Sequence, residues 1–166
     1  NVAPYAVDEV VRQLSPIYPD LKTGGYKIYL TIDLDYQNIA QEALRYGYNN
    51  INERLLEQYP RTFIREELDS EGLIYAKPKE SETNKYGELN GAMVVTESQS
   101  GKILALVGGV DYKKSVFNRA TQAKRQFGSS IKPFIYLVAF DRGYSPAWQV
   151  MDAPRKFDNT NENTQS

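Results

Sequence analysis

The sequence predicts an α+β chain, and three features carry that prediction. Ile39, Ala43, Gly47, Ile51 and Leu55 recur every four positions, which is a helical interval. Two short apolar runs, residues 92–96 and 102–107, flank a Gly-bearing turn and read as an antiparallel hairpin. A third apolar run follows Ser129 and Lys132 and suits a buried helix.

The elements then follow in order. Val7, Val10, Val11 and Leu14 lie at helical intervals, and Pro4 suits a first helical turn. Residues 15–25 hold two prolines and a Gly-Gly pair, so they form a loop. Residues 26–32 alternate loosely and are rich in β-branched and aromatic side chains, which predicts a strand. Asp33 is placed to cap the long helix, with Asp35 at the positive end of its dipole. The repeat at Ile39, Ala43, Gly47, Ile51 and Leu55 is its expected buried stripe, fading by Tyr59-Pro60. Residues 61–88 are polar without sustained period and form a solvated connection or short hairpin; nothing nearby would split the pKa values of their carboxylates for acid–base work. Residues 92–96 are a buried strand and 98–101 a turn, while 111–124 make a polar crossing anchored by Phe117. Gly128 leads into the helix beginning at Ser129, and Gly143 is its C-terminal cap. The tail from Asp158 to Ser166 has no apolar content and is expected to be disordered.

Composition narrows the function classes. The net charge of −1 leaves no electrostatic footprint for nucleic acid. A hydrophobic content of 41% and thirteen tyrosines indicate a globular chain. No apolar run reaches the roughly 18 residues of a membrane span, so the segment itself is expected to be soluble. With no cysteine and no histidine, Ser-His-Asp and Cys-His catalysis and the common zinc sites are excluded. A serine nucleophile here needs Lys, Tyr, Asp or Glu as its base.

Ser129 and Lys132 have the required spacing, because residues at i and i+3 share a helix face. Alone the spacing is weak, since a chain of ordinary composition contains a Ser-x-x-Lys roughly once by accident. Its neighbours strengthen it. Residues 24–33 (Gly-Gly-Tyr-Lys-Ile-Tyr-Leu-Thr-Ile-Asp) with Gln37 resemble the linker of class A, bifunctional penicillin-binding proteins. Residues 91–95 and 100–109 resemble the hairpin that opens their transpeptidase domain. Phe117-Asn118-Arg119-Ala120 and residues 125–134 (Arg-Gln-Phe-Gly-Ser-Ser-Ile-Lys-Pro-Phe) resemble their active-site approach.

The resemblance implies residues 1–88 as linker and 89–166 as the N-terminal part of an incomplete penicillin-binding/β-lactamase-like transpeptidase fold. It implies acyl transfer, with Ser129 attacking the D-Ala-D-Ala carbonyl of a peptidoglycan stem peptide and Lys132 as the base. β-Lactam antibiotics and the remaining glycosyltransferase and transpeptidase segments are the implied partners; no metal or other cofactor is expected. The implied setting is a membrane-anchored parent on the extracytoplasmic, periplasmic face of a bacterial inner membrane. The family's two further motifs, S-x-N and K-T-G, should follow the nucleophile. No Ser-x-Asn occurs, and Lys22-Thr23-Gly24 precedes Ser129, outside the context that would give it meaning. The chain is therefore expected to be a piece of such an enzyme. The competing reading is a non-catalytic structural linker module, inactive as an isolated fragment.

Overall fold

The computed structural model describes residues 2–79, 89–151 and 153. Helix α1 is Pro4–Leu14, with the proline in the first turn as expected. Its buried face is Tyr5, Ala6 and Glu9, whereas Val7 is 39% exposed. Helix α2 spans Leu34–Gln58. Asp33 caps it, its carboxylate accepting from the N–H groups of Asp35 and Tyr36 at 2.9 and 3.2 Å.

The buried stripe of α2 differs from the one predicted. Ile39 and Ile51 are 61% and 46% exposed, and the buried residues are Gln37, Ala40, Tyr48 and Asn52. The two amides are buried because each satisfies backbone that would otherwise be orphaned. Asn52 Oδ1 accepts from the N–H of Ala76 at 2.9 Å, and neighbouring Asn49 Oδ1 accepts from Ile74 at the same distance. Gln37 does the same for Leu106. Side-chain amides thus stand in for a third strand along two hairpin edges.

Those hairpins are β1 (Phe63–Glu67) with β2 (Ile74–Pro78), and β3 (Met93–Thr96) with β4 (Ile103–Val107), both antiparallel. The first makes residues 63–78 of the polar stretch after α2 a hairpin, while residues 80–88 of that stretch lie outside the described residues. Its turn is held to α2 by Arg45, which donates to both oxygens of Asp69 at 2.9 and 3.2 Å. Hydrogen bonding from Arg45 lowers the pKa of Asp69, whose Oδ1 also accepts from the N–H of the fully buried Leu73. The second hairpin matches its prediction in position and pairing, with Gly101 at φ 70° in the turn and a bulge at Val95/Thr96. Strand β3 is half-buried rather than buried, with Val94 45% exposed.

Residues 26–32 join no strand ladder. They run beside β4 through the Thr31 hydroxyl to Ile103 O, at 2.6 Å, and Asp33 N–H to Leu104 O, at 2.9 Å. A segment held at one end by two bonds satisfies the strand pattern in sequence without forming the ladder. Tyr26 instead packs against Tyr18, with ring centroids 5.4 Å apart and the planes tilted by 56°.

Two apolar clusters lie under this framework: Ala3, Ala6 and Leu106 with Ile32 and Ala120, and Ala40, Ala105 and Val107 with Leu44, Met93 and Val95. Helix α2 packs on both hairpins, so packing joins residues on either side of position 88. The chain forms two compact units, residues 1–124 and 125–166. In the second, Gly128–Ile131 form a 3₁₀ turn that continues into helix α3, Lys132–Asp141. Gly143, at φ 87°, ends that helix as predicted. The Gly143 and Tyr144 N–H groups bond back to Phe140 O and Ala139 O at 2.9 and 3.1 Å, a Schellman closure. The tail expected to be disordered lies outside the described residues.

Candidate active site

Ser129 does not sit inside an α-helix. It lies in the 3₁₀ turn, entered through Gly128 at φ 52°, a conformation that favours glycine. Lys132 is the first residue of α3, and its N–H donates to Ser129 O. A 3₁₀ turn has about three residues per turn, so side chains at i and i+3 eclipse. The local backbone therefore aligns Ser129 with Lys132 more directly than an α-helix would. Pro133 falls in the first turn of α3, where it removes no helix hydrogen bond.

Both side chains are exposed, and neither makes a hydrogen bond or ion pair with a described residue. The helix behind them is exposed as well: Phe134, Ile135, Leu137 and Val138 are 63, 57, 64 and 51% accessible. The expectation of a buried helix is not met within this chain. A helix apolar all round belongs in a core, and these side chains lack that cover within residues 125–151. A cavity of about 570 Å³ lies on its C-terminal side, lined by Tyr136, Phe140, Tyr144 and Trp148 among others.

Residues 111–124, which precede the serine in sequence, belong to the first unit. Phe117, expected to anchor the 111–124 crossing, is 45% exposed; the anchor is its neighbour Asn118, at 3%. Asn118 Oδ1 accepts from Ala120 N–H at 3.1 Å, its own N–H donates to Gln122 Oε1, and its carbonyl accepts from Gln122 N–H at 2.8 Å. Asn118 closes a turn, which is its physical claim to burial. Arg119 N–H fastens that turn to Gly108 O at 3.0 Å, and its guanidinium lies 5.7 Å from the Phe117 ring centre.

Helix α1 reaches the same segment, which the sequence did not suggest. Tyr5 OH donates to Ser115 O at 2.8 Å, and burial pushes its pKa up to about 12. Thr121 Oγ1 donates to Glu9 Oε2 at 2.9 Å. Glu9 also accepts from Arg12 and Gln13, and hydrogen bonding from Arg12 foremost holds its carboxyl down to about 2. The signal available in sequence was a Glu on the Tyr5–Ala6 face of α1, visible only once that face is known to be buried.

Lys22-Thr23-Gly24 forms an exposed turn in which the N–H groups of Thr23 and Gly24 both bond to Asp20 O, at 2.9 and 2.7 Å. A turn closed on itself offers no strand edge to a substrate, which agrees with its reading as a coincidence of letters.

Residues 91–166 match the family described as the penicillin binding protein transpeptidase domain. Penicillin-binding protein 1A of Escherichia coli (strain K12) is 52% identical over 67 residues, 40% of this chain and 8% of that protein. Penicillin-binding protein 2D of Bacillus subtilis (strain 168) is 30% identical over 149 residues, covering 87% of this chain and 16% of the relative. Penicillin-binding protein 1A of Neisseria gonorrhoeae is 28% identical over 90% of this chain and 28% of its own length. The chain thus spans less than a third of each of these curated relatives. The crystal structure of penicillin-binding protein 1A from Haemophilus influenzae shares the fold, with a TM-score of 0.65, 23% identity, and coverage of 97% of this chain and 34% of that one.

Proposed function

We propose that the chain belongs to the class A penicillin-binding proteins and carries the nucleophile of a peptidoglycan D,D-transpeptidase. Residues 1–88 are read as interdomain linker and 89–166 as the first part of the transpeptidase domain, a division favoured by the family match starting at residue 91. The observation that carries the proposal is the placement of Ser129 in a 3₁₀ turn that Lys132 closes as the first residue of an apolar helix, inside the matched segment.

In this reading Ser129 Oγ attacks the penultimate D-Ala carbonyl of a stem peptide while Lys132 Nζ takes the hydroxyl proton. The terminal D-Ala leaves with a proton, and the ester is resolved by an amine of a second stem peptide. A lysine in this role must be neutral when substrate arrives, which calls for burial or neighbouring positive charge. The Ser129 N–H supplies one oxyanion donor. Further transpeptidase sequence supplies the other and covers α3. β-Lactams, which present a strained amide to the same serine, are the inhibitors implied. The parent is read as membrane-anchored with this domain on the extracytoplasmic side; no helix among the described residues is long and apolar enough to cross a membrane.

The test uses a protein holding this chain within a complete transpeptidase domain. Ser129→Ala should abolish covalent labelling by a fluorescent penicillin without lowering the melting temperature. Lys132→Arg keeps the charge but cannot release a proton in practice, so acylation should fall by about 10²–10⁴. Undiminished labelling at another serine would refute the assignment. The exposure of Ser129, Lys132 and α3 favours a second reading for the segment in isolation, a non-catalytic structural module. A chain that takes up no penicillin alone, while the complete domain does, separates the two.

A further inference from the structure

Asn90-Gly91 is the single Asn-Gly pair in the chain, and it stands just ahead of β3. In such a pair the carboxamide is open to attack by the backbone nitrogen that follows, because glycine brings no Cβ to hold that nitrogen away. Here the pair is closed from two sides. Asn90 Oδ1 accepts from Gly91 N–H at 2.9 Å and from Val110 N–H at 3.1 Å. Val110 follows the Gly108-Gly109 pair that ends β4, and Val107 of that strand pairs with Met93 of β3. Gly91 has little slack. A Cβ there would lie 2.9 Å from Leu44 Cδ1, and Leu44 packs on the cluster of Ala40, Ala105 and Val107.

We propose that Asn90 is a latent deamidation site, held unreactive by this clasp and released when the Val110 end of the hairpin opens. The reaction consumes only water. Gly91 N loses its hydrogen and bonds to Asn90 Cγ; the Cγ–Nδ2 bond breaks, and Nδ2 leaves with that hydrogen as ammonia. Water then opens the succinimide at either carbonyl, giving aspartate or isoaspartate. Attack requires the Gly91 nitrogen to present its electron pair to the face of Cγ. In the clasp it presents its hydrogen to Oδ1 instead, and the hydrogen that must be lost is engaged. The Val110 bond fixes the carboxamide in that orientation. Groups held out of near-attack geometry forfeit the advantage that makes an intramolecular reaction fast. The isoaspartate product lengthens the backbone by one methylene where Leu44 leaves little slack, so the modified chain should not reclose in the same register.

The experiment incubates the folded chain, and the same chain in concentrated guanidinium, in one mildly alkaline buffer. Peptide mapping by mass spectrometry reads the conversion at Asn90. Hydrogen exchange on the folded chain gives the fraction of time that Val110 N–H is open. Folding should slow Asn90 deamidation by about tenfold or more, and the ratio of folded to denatured rates should match the Val110 open fraction within about threefold. Leu44→Ala, which removes the side chain seated against Gly91, should raise Val110 exchange and Asn90 deamidation together; should that variant not fold, the comparison on the parent chain decides alone. A folded rate less than tenfold below the denatured one overturns the proposal. So does a ratio well above the Val110 open fraction, since Asn90 would then react with the clasp closed, or one well below it, since opening would then not be the gate. Faster Val110 exchange in a folded Leu44→Ala chain with no gain in deamidation overturns it as well.

Discussion

The Gln37 side chain brackets one residue of β4, Oε1 accepting from Leu106 N–H at 2.9 Å and Nε2 donating to Leu106 O at 3.3 Å. Gln37 is completely buried and Leu106 is 4% exposed, so water cannot replace either bond. Helix α2 is therefore fastened to the hairpin by hydrogen bonds that a two-stranded sheet cannot make for itself.

Gln37→Leu should consequently destabilise the chain by about 1–3 kcal/mol, although it adds an apolar side chain to a buried site, because it orphans the Leu106 N–H. Asn52→Leu should behave alike through Ala76 N–H. Gln41 bonds Val2 O on the surface, and Gln41→Ala should stay within about 0.5 kcal/mol. Urea unfolding of the three variants checks the order; a Gln37→Leu midpoint equal to that of the parent would show the bracket to be dispensable.

This bracket also marks where the sequence was legible and where it was not. The Asp33 cap, the 93–107 hairpin and the Gly143 closure depend on local rules, and each can be read from a few residues. The stripe on α2 depends on what lies opposite. A strict four-residue repeat rotates about 40° per step around a helix of 3.6 residues per turn, so residues 39 to 55 swing about 160° and cannot share a face. Gln37, Ala40, Leu44, Tyr48 and Asn52 mix steps of three and four and stay together, but two of them are amides. Their burial makes sense only beside strand edges in need of partners. Asn118 and Glu9 were missed for the same reason, being polar residues buried by bonds to segments distant in sequence or to their own turn.

Glycine replacement should separate two kinds of site. Gly47 lies inside α2 with open space where a Cβ would go, so Gly47→Ala should stabilise by about 0.5–1 kcal/mol through the helix preference of alanine. Gly108→Ala would press on Asn118, including its backbone, and should cost about 1–3 kcal/mol. Thermal melts of the two variants shifting in the same direction would contradict this account of the Gly108 contact.

Acid should act through Glu9. Its carboxyl titrates near 4.5 when unfolded and about 2 when folded, so the folded state favours the charged form. That stabilisation is complete above pH 4.5 and is lost as pH falls toward 2. After solvent screening of the half-exposed Arg12, it should be on the order of 1 kcal/mol. Urea midpoints measured from pH 6 to pH 2 should decline across this window, and Glu9→Gln should remove part of the decline. A Glu9→Gln curve parallel to the parent's over the whole range would assign the acid sensitivity to other carboxylates.

The last prediction concerns the chain by itself. Helix α3 exposes apolar residues on every side, and Ser129 and Lys132 stand in solvent at its head. Apolar side chains lying half open to water contribute little of the roughly 1.5–3 kcal/mol each would give on full burial. Without that burial a ten-residue helix is marginal in water. The 3₁₀ turn that holds Ser129 should then be populated only part of the time. The isolated 166-residue chain should therefore show no stoichiometric penicillin acylation. Its amides at 132–141 should exchange much faster than those at 105–107, where β4 is paired and bracketed by Gln37. Supplying the rest of the transpeptidase domain should slow exchange in α3 and restore acylation together. Prompt acylation of Ser129 in the chain alone would mean that the turn at 128–131 holds its catalytic geometry without a covered helix behind it.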